Sequence, residues 1–240
     1  MNNQLLDGQS FNAKYQGKIF IKLTNVSENH NGYQFRTGLN IDSLKFNPSG
    51  ECQPGGIYFC LLEDLSLWLN YGGQQMFYVR FVTIASDAQV WIEINKFKAD
   101  RLILSDRVKI GDLKVWEDND YCLAAVQRKG LSLCYVKEQT PEICLAAVEE
   151  DECALQYVKE QTPEICLAAV EQDAYTLRYV KEQTPEICWV AVQQDVDTLQ
   201  YAKAQTPEIC LAAVQQNYEA FSFVIKKTPE ICCAFSTCSE

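Results

Sequence analysis

The sequence holds one histidine, His30, and two methionines among its 240 residues. One imidazole cannot build a histidine-based metal centre, and no CxxC pair supplies a thiolate alternative. Walker A, GxGxxG and GxSxG patterns are missing as well, which removes the usual phosphate-cradling loops and the serine elbow. No apolar run approaches the ~18 residues of a membrane span. The opening MNNQLLDGQS lacks the basic and apolar regions of a secretory leader. Positive charge is also short: 21 Lys/Arg face 32 Asp/Glu, for a formal −11 and a pI of about 4.7. That balance argues against nucleic acid or an anionic membrane as partner. The expectation is a soluble intracellular chain without metal or cofactor.

What is present is globular material, 48% apolar and 11% aromatic, enough for a sizeable core. The charge is unevenly spread. Residues 1–115 carry 12 Lys/Arg against 11 Asp/Glu, and residues 116–240 carry 9 against 21. A near-neutral part joined to a strongly acidic one predicts two domains, 1–115 and 116–240.

The acidic part repeats. TPEIC begins at Thr140, Thr162, Thr184, Thr206 and Thr228, a period of 22 residues, and a divergent copy aligns at Asp118. Five copies and a terminal half-copy at such a period predict a solenoid. Within a copy, Thr140 is placed to cap a helix with Pro141 at its first position. The run Ile143–Val148 is apolar, as in a helix buried between neighbours. A second helix is predicted over Cys153–Gln161, stopped by the proline after Thr162. Neither helix is long enough to stand alone, so stacking has to hold the array together.

Cys122, Cys144, Cys166, Cys188, Cys210 and Cys232 recur at one site per copy. Stacked helices put such sites roughly 9–10 Å apart, beyond the about 7 Å that a disulfide allows between Cα atoms. The ladder therefore reads as small buried hydrophobes in a reducing compartment. Two other columns are candidates for partner binding. One is Lys137, Lys159, Lys181 and Lys203. The other sits at the turn between helices, where Tyr175, Asp197 and Glu219 differ amid near-identical neighbours.

The first part has no trace of the repeat. Lys18–Val26, Met76–Ile84, Gln89–Ile94 and Arg101–Leu104 read as strands. Glu63–Tyr71 reads as a helix with carboxylates at its start, stopped by Gly72-Gly73. Asn47–Gly56 is turn-rich, and His30 sits in a polar stretch expected to be a solvated loop. The fold class is α+β: a mixed or antiparallel sheet domain with few helices, then an all-α solenoid of short helix pairs.

Four segments, TGLNID at Thr37–Asp42, FNPSG at Phe46–Gly50, PGGIYF at Pro54–Phe59 and KFKAD at Lys96–Asp100, resemble a domain of mimivirus-type giant viruses. That domain commonly precedes ankyrin or other repeats. The TPEICLAAV…LQYVKEQ unit is similar to a helical repeat expanded in the same viruses. The resemblance implies a repeat protein with an interaction role, in host cytoplasm, virus factory or virion. A second resemblance concerns chemistry. Gly56–Phe59 (GIYF) is similar to a segment of poly(ADP-ribose) polymerase catalytic domains whose tyrosine stacks on nicotinamide, and Gly38-Leu39 falls where those enzymes carry a Gly-Leu pair. It would make Tyr58 and Asp100 the residues of a divergent ADP-ribosyltransferase. The histidine expected near Thr24 is absent, and Asp100 is one methylene shorter than the family's glutamate.

The reading that follows is a non-enzymatic adaptor that binds a protein partner through its acidic repeats. The terminal half-copy, Thr228–Glu240, ends in an apolar ICCAF run that could pair with its counterpart in a homodimer.

Overall fold

The computed structural model describes residues 4–30, 32–49 and 53–238. Residues 50–52 of the turn-rich loop and 239–240 of the half-copy lie outside these. The chain divides into two units, Met1–Tyr121 and Cys122–Glu240.

In the first unit the chain runs through β1 (Gln4–Asp7), α1 (Gly8–Lys14), β2 (Phe20–Thr24), β3 (Asn29–His30), β4 (Tyr33–Gln34), β5 (Gly38–Ile41) and β6 (Ile57–Leu61). It continues with β7 (Asn70–Tyr71), β8 (Gln74–Gln75), β9 (Tyr78–Thr83), β10 (Gln89–Glu93), β11 (Lys96–Ala99), β12 (Arg101–Leu104) and β13 (Val108–Lys109). Nine strands form one sheet in the order β1-β10-β11-β6-β2-β9-β12-β5, with β13 beside β9. Its pairings are antiparallel, which resolves the expected mixed or antiparallel sheet. The predicted strands at 18–26, 76–84, 89–94 and 101–104 correspond to β2, β9, β10 and β12.

Phe11, Phe20, Phe59 and Phe97 gather on one face, with centroids 5.1 Å apart for Phe11–Phe20 and 5.3 Å for Phe59–Phe97. Such tilted and edge-on contacts add to the burial of large rings. Helix α1 brings Phe11 into this cluster, and its first residue has to be glycine. A Cβ on Gly8 would lie 1.9 Å from the Ala85 carbonyl oxygen.

The helix expected over 63–71 is a 3₁₀-helix, Leu62–Trp68. Its last predicted turn is taken by β7, which pairs with β8 around Gly72 and Gly73 at φ 58° and 74°. Glycine alone reaches that left-handed region freely, so the pair makes a hairpin turn and claims Tyr71 as strand.

The second unit is built from α2 (Asn119–Arg128), which crosses the division between the units, then α3 (Pro141–Glu150), α4 (Pro163–Gln172), α5 (Pro185–Gln194), α6 (Pro207–Gln216) and α7 (Pro229–Cys238). The Thr140, Thr162, Thr184 and Thr206 hydroxyls cap α3 to α6, each accepting the N–H three residues on at 3.3 Å. Ile143, Cys144, Ala147 and Val148 are the buried residues of α3, and the same positions are buried in α4, α5 and α6.

The second element of each copy departs from expectation. Instead of an α-helix over 153–161, the chain forms a 3₁₀-helix at Glu152–Tyr157, leaves it through an extended Val158 and bends at Lys159 and Glu160. To continue an α-helix, the Leu155 carbonyl would have to accept the Lys159 N–H. That N–H is donated to Gln139 Oε1 of the preceding copy at 2.9 Å. The Leu155 carbonyl accepts Val158 N–H in the 3₁₀ manner at 3.2 Å, and Gln161 Nε2–H at 3.0 Å.

Candidate functional site

The repeat unit offers a ladder and three surfaces. The ladder is Gln139, Gln161, Gln183 and Gln205. Each amide donates to a leucine carbonyl of its own copy and an aromatic residue's carbonyl in the next; for Gln183 these are Leu177 and Tyr201, both at 3.0 Å. Each amide oxygen accepts a backbone N–H of the next copy, for Gln183 that of Lys203 at 2.7 Å. The cysteine ladder lies against it: the Cys144, Cys166, Cys188 and Cys210 thiols point at these amide oxygens at 3.4–3.8 Å. Cys122, Cys144, Cys166, Cys188 and Cys210 are buried and unbridged, whereas Cys232 is exposed. The glutamine ladder was not singled out from sequence, although the signal was there: Gln precedes Thr-Pro in four copies, and Lys227 takes its place before the last.

The lysine column is exposed in its bulk, yet two of its ammonium groups turn back onto the stack. Lys159 Nζ donates to the Lys137 carbonyl at 2.6 Å, and Lys181 Nζ to the Val158 and Lys159 carbonyls at 2.8 Å. Lys137 and Lys203 are also exposed. The variable column follows a fixed turn. Asp173, Asp195 and Asn217 accept the backbone N–H of Tyr175, Asp197 and Glu219 at 2.9–3.0 Å. With the backbone tied from two residues upstream, the side chain there is free to vary. Asp197 and Glu219 are exposed, while Tyr175 is half-buried, edge-on to Tyr201 at 6.1 Å. In the copy before, Asp151, Glu152 and Cys153 bring ligand atoms within 4.8 Å of one another. Their hydrogen bonds serve the turn: Cys153 N–H donates to Asp151 and its thiol to Glu152.

The third surface is the outer face of the α-helices, away from the buried positions. Leu145, Leu167 and Leu211 are half-buried there, and Trp189, which replaces them in α5, is 41% exposed.

In the first unit, a cavity of about 530 Å³ is walled by aromatic side chains including Phe35, Tyr58, Trp68 and Tyr71. Lys22 Nζ lies 4.8 Å from the Phe35 ring centroid, and Lys96 Nζ lies 4.9 Å from that of Tyr58. Lys98, fully buried, donates to the Asn47 and Ser49 carbonyls at 2.8 and 3.3 Å and so ties the turn-rich loop to β11. Size and lining are those of a small-molecule pocket.

His30 also lines this cavity; it is exposed, as expected, but sits in the short strand β3 rather than in a loop. Burial, and then the positive charge of Lys22, hold its pKa below the ordinary value. Cys60 shares the cavity, but burial and the nearby Asp64 push its thiol well up, the opposite of what a thiolate nucleophile requires. Tyr58 in β6 pairs with Lys98 of β11, and Asp100 follows two residues on, just past that strand's end. Tyr58 lines the cavity, while Asp100 is not among its lining residues. The Asp100 carboxylate accepts from the Gln89 backbone at 2.9 Å and from Arg101 at 3.0 and 3.1 Å. Among the described residues, no helix is long and apolar enough to cross a membrane.

Residues 140–184 match the domain of unknown function DUF4116. The chain is 34% identical to uncharacterized protein R869 of Acanthamoeba polyphaga mimivirus over 106 residues, which are 42% of this chain and 74% of that protein. It is 32% identical to R868 and 31% identical to R229 of the same virus, both named as ankyrin repeat proteins, over 42% of this chain in each case. It spans 51% and 36% of those two proteins' lengths. No solved structure matches the chain.

Proposed function

The chain belongs to the mimivirus protein family that includes R869, and from that premise we propose that it is a viral protein-interaction adaptor, whose acidic helical repeats form a solenoid that holds a protein partner. The observation that carries this reading is the repeat unit's own economy. The buried side chains that recur in every copy serve stacking, and the side chains left outside, constant and varying alike, are open to a partner. A stack of this kind displays a long surface at little cost in core. Two relatives named as ankyrin repeat proteins point the same way. The free thiols suit the reducing cytoplasm or virus factory of an infected host. Pairing of two copies through the half-copy that begins at Thr228, where Cys232 and Cys233 are exposed, is part of the same proposal.

Affinity purification of the cross-linked, tagged chain from infected cells tests the reading. A protein recovered in stoichiometric amount, and lost when the repeat unit is deleted, is expected. Recovery mainly as a high-copy component of purified particles would replace the adaptor with a scaffold. Saturable calorimetric binding of NAD, abolished by Tyr58→Ala, would favour an ADP-ribosyltransferase instead. Light scattering that finds only monomer at high micromolar concentration would remove the two-fold pairing.

A further inference from the structure

The helices α3 to α6 divide their surface by spacing. Positions 143, 144, 147 and 148 go inward. Positions 142, 145, 146 and 149 are related by three and four residues, so they share the opposite face. Successive helices pack side by side, α3 on α4, α4 on α5 and α5 on α6, so equivalent positions form columns. One column is apolar: Leu145, Leu167, Trp189 and Leu211. Beside it runs a column of exposed carboxylates: Glu142, Glu164, Glu186 and Glu208. The four helices contain no Lys or Arg. The nearest cations in sequence are Lys137, Lys159, Lys181 and Lys203, four residues before each helix; the Lys159 and Lys181 ammonium groups are held by backbone carbonyls of the preceding copy, and Lys137 and Lys203 are exposed.

We propose that this face is the docking surface for a basic amphipathic helix of the protein partner, with Trp189 as its apolar anchor. The inference rests on the adaptor reading above and adds the face and the chemistry of what it holds. Charge complementarity selects the occupant. A column of carboxylates with no cation among its helices repels nucleic acid and anionic lipid alike, and favours a row of Lys or Arg. The apolar column beside it requires that row to border an apolar stripe, the signature of a helix laid in a groove. Four helices at roughly 9–10 Å spacing present a track of about 30 Å, the length of a helix of about 20 residues.

Each glutamate also has a local role at the second position of its helix, where it faces the positive end of the dipole. At Glu208 the residue's own backbone N–H and the Thr206 hydroxyl hold the carboxyl's pKa below the ordinary value. The copy that begins at Thr184 carries the sharper sign. It replaces Leu-Ala by Trp189-Val190, adding exposed apolar area where three copies keep it small. Tryptophan is one of the residues enriched among the anchors of protein interfaces.

The experiment uses the full chain and a fluorescently labelled synthetic peptide of leucine and lysine that forms a basic amphipathic helix, followed by anisotropy. Glu142→Gln, Glu164→Gln and Glu186→Gln together are expected to weaken binding about tenfold or more. The matched triple Glu138→Gln, Glu160→Gln and Glu182→Gln removes the same charge from exposed linker positions, and is expected to leave affinity within about twofold. Trp189→Leu restores the residue of the other copies, so the fold is kept, and is expected to lower affinity severalfold. Equal weakening by both triples would reduce the effect to net charge and overturn the proposal. So would an unchanged affinity for Trp189→Leu, or no binding of the peptide at all. A partner recovered from infected cells that still binds both the Glu142 triple and Trp189→Leu would overturn the docking face while leaving the adaptor standing.

Discussion

Gln161 and Lys181 join two copies of the repeat through a backbone bond. The Gln161 amide oxygen accepts the Lys181 N–H at 2.9 Å, while its nitrogen donates to the Leu155 and Tyr179 carbonyls at 3.0 Å each. One side chain thus satisfies three main-chain groups, two of them in the neighbouring copy. Gln161→Leu keeps the bulk and strands those groups. Leaving polar groups unsatisfied costs about 1–3 kcal/mol each when buried, so a loss of roughly 2 kcal/mol is expected in urea denaturation of the full chain. A change below about 0.5 kcal/mol would mean that water takes over the glutamine's bonds, and that the ladder does not bind the copies together.

The threonine caps are a smaller and separable contribution. Thr162 accepts Ile165 N–H, and Thr162→Ala removes that acceptor at about 1 kcal/mol. Thr162→Ser should recover most of it, because the hydroxyl is what the helix end uses. Thermal denaturation of the two variants checks this. Equal destabilisation by both would show that the threonine methyl group, not its oxygen, is what matters.

The cysteine ladder predicts both reactivity and a pH response. Burial raises the pKa of the Cys144, Cys166, Cys188 and Cys210 thiols. A thiol whose folded pKa exceeds its unfolded value of about 8.5 stabilises the fold fully below that pH. The contribution is lost as pH rises toward the folded value, because the unfolded chain ionises first. The urea midpoint should therefore fall as pH rises past about 8.5, less so in a variant with the four thiols changed to alanine. In the native state at neutral pH these four should resist iodoacetamide, while the exposed Cys232 and Cys233 react. Mass spectrometry of the alkylated peptides reads the pattern directly.

Local signals explain why part of the fold is legible in the sequence. Thr-Pro-Glu marks a helix start by chemistry contained within three residues, and the period of 22 makes it recur. The second element was misread because its deciding contact is not local: Gln139 of the previous copy takes the Lys159 N–H that an α-helix would need. In the first unit, alternation betrays β9, β10 and β12. Strand β11 hides, since Lys96-Phe97-Lys98 looks like a wet edge. Lys98 is in fact fully buried, with its ammonium on two loop carbonyls. His30 is exposed, as its polar neighbours indicate, but the β3–β4 hairpin also sets it at the rim of a cavity lined by distant strands, which no local signal shows.

The last prediction concerns a buried charge that the sequence does not announce. Glu28 and Arg80, 52 residues apart, form a two-pronged pair at 2.7 and 3.0 Å, with both side chains 6% exposed. Arg107 adds a bond at 3.1 Å, and the remaining nitrogen of Arg80, Nη1, donates to the Ser105 carbonyl at 2.7 Å. Burial alone would raise the Glu28 pKa, but the bonds and charges of Arg80 and Arg107 outweigh it and hold the carboxyl below its ordinary value. A depressed folded pKa stabilises above the unfolded value of about 4.3, and that stability is lost as pH falls through the folded value. The first unit should lose stability below about pH 4.5, and Glu28→Gln should flatten that acid response. Breaking one side of a buried pair costs about 3–5 kcal/mol because the other charge is stranded. Glu28→Ala and Arg80→Ala should each reach that range, and the double variant should cost less than their sum. Additive losses in the denaturation cycle would show that the two residues do not stabilise the fold through each other.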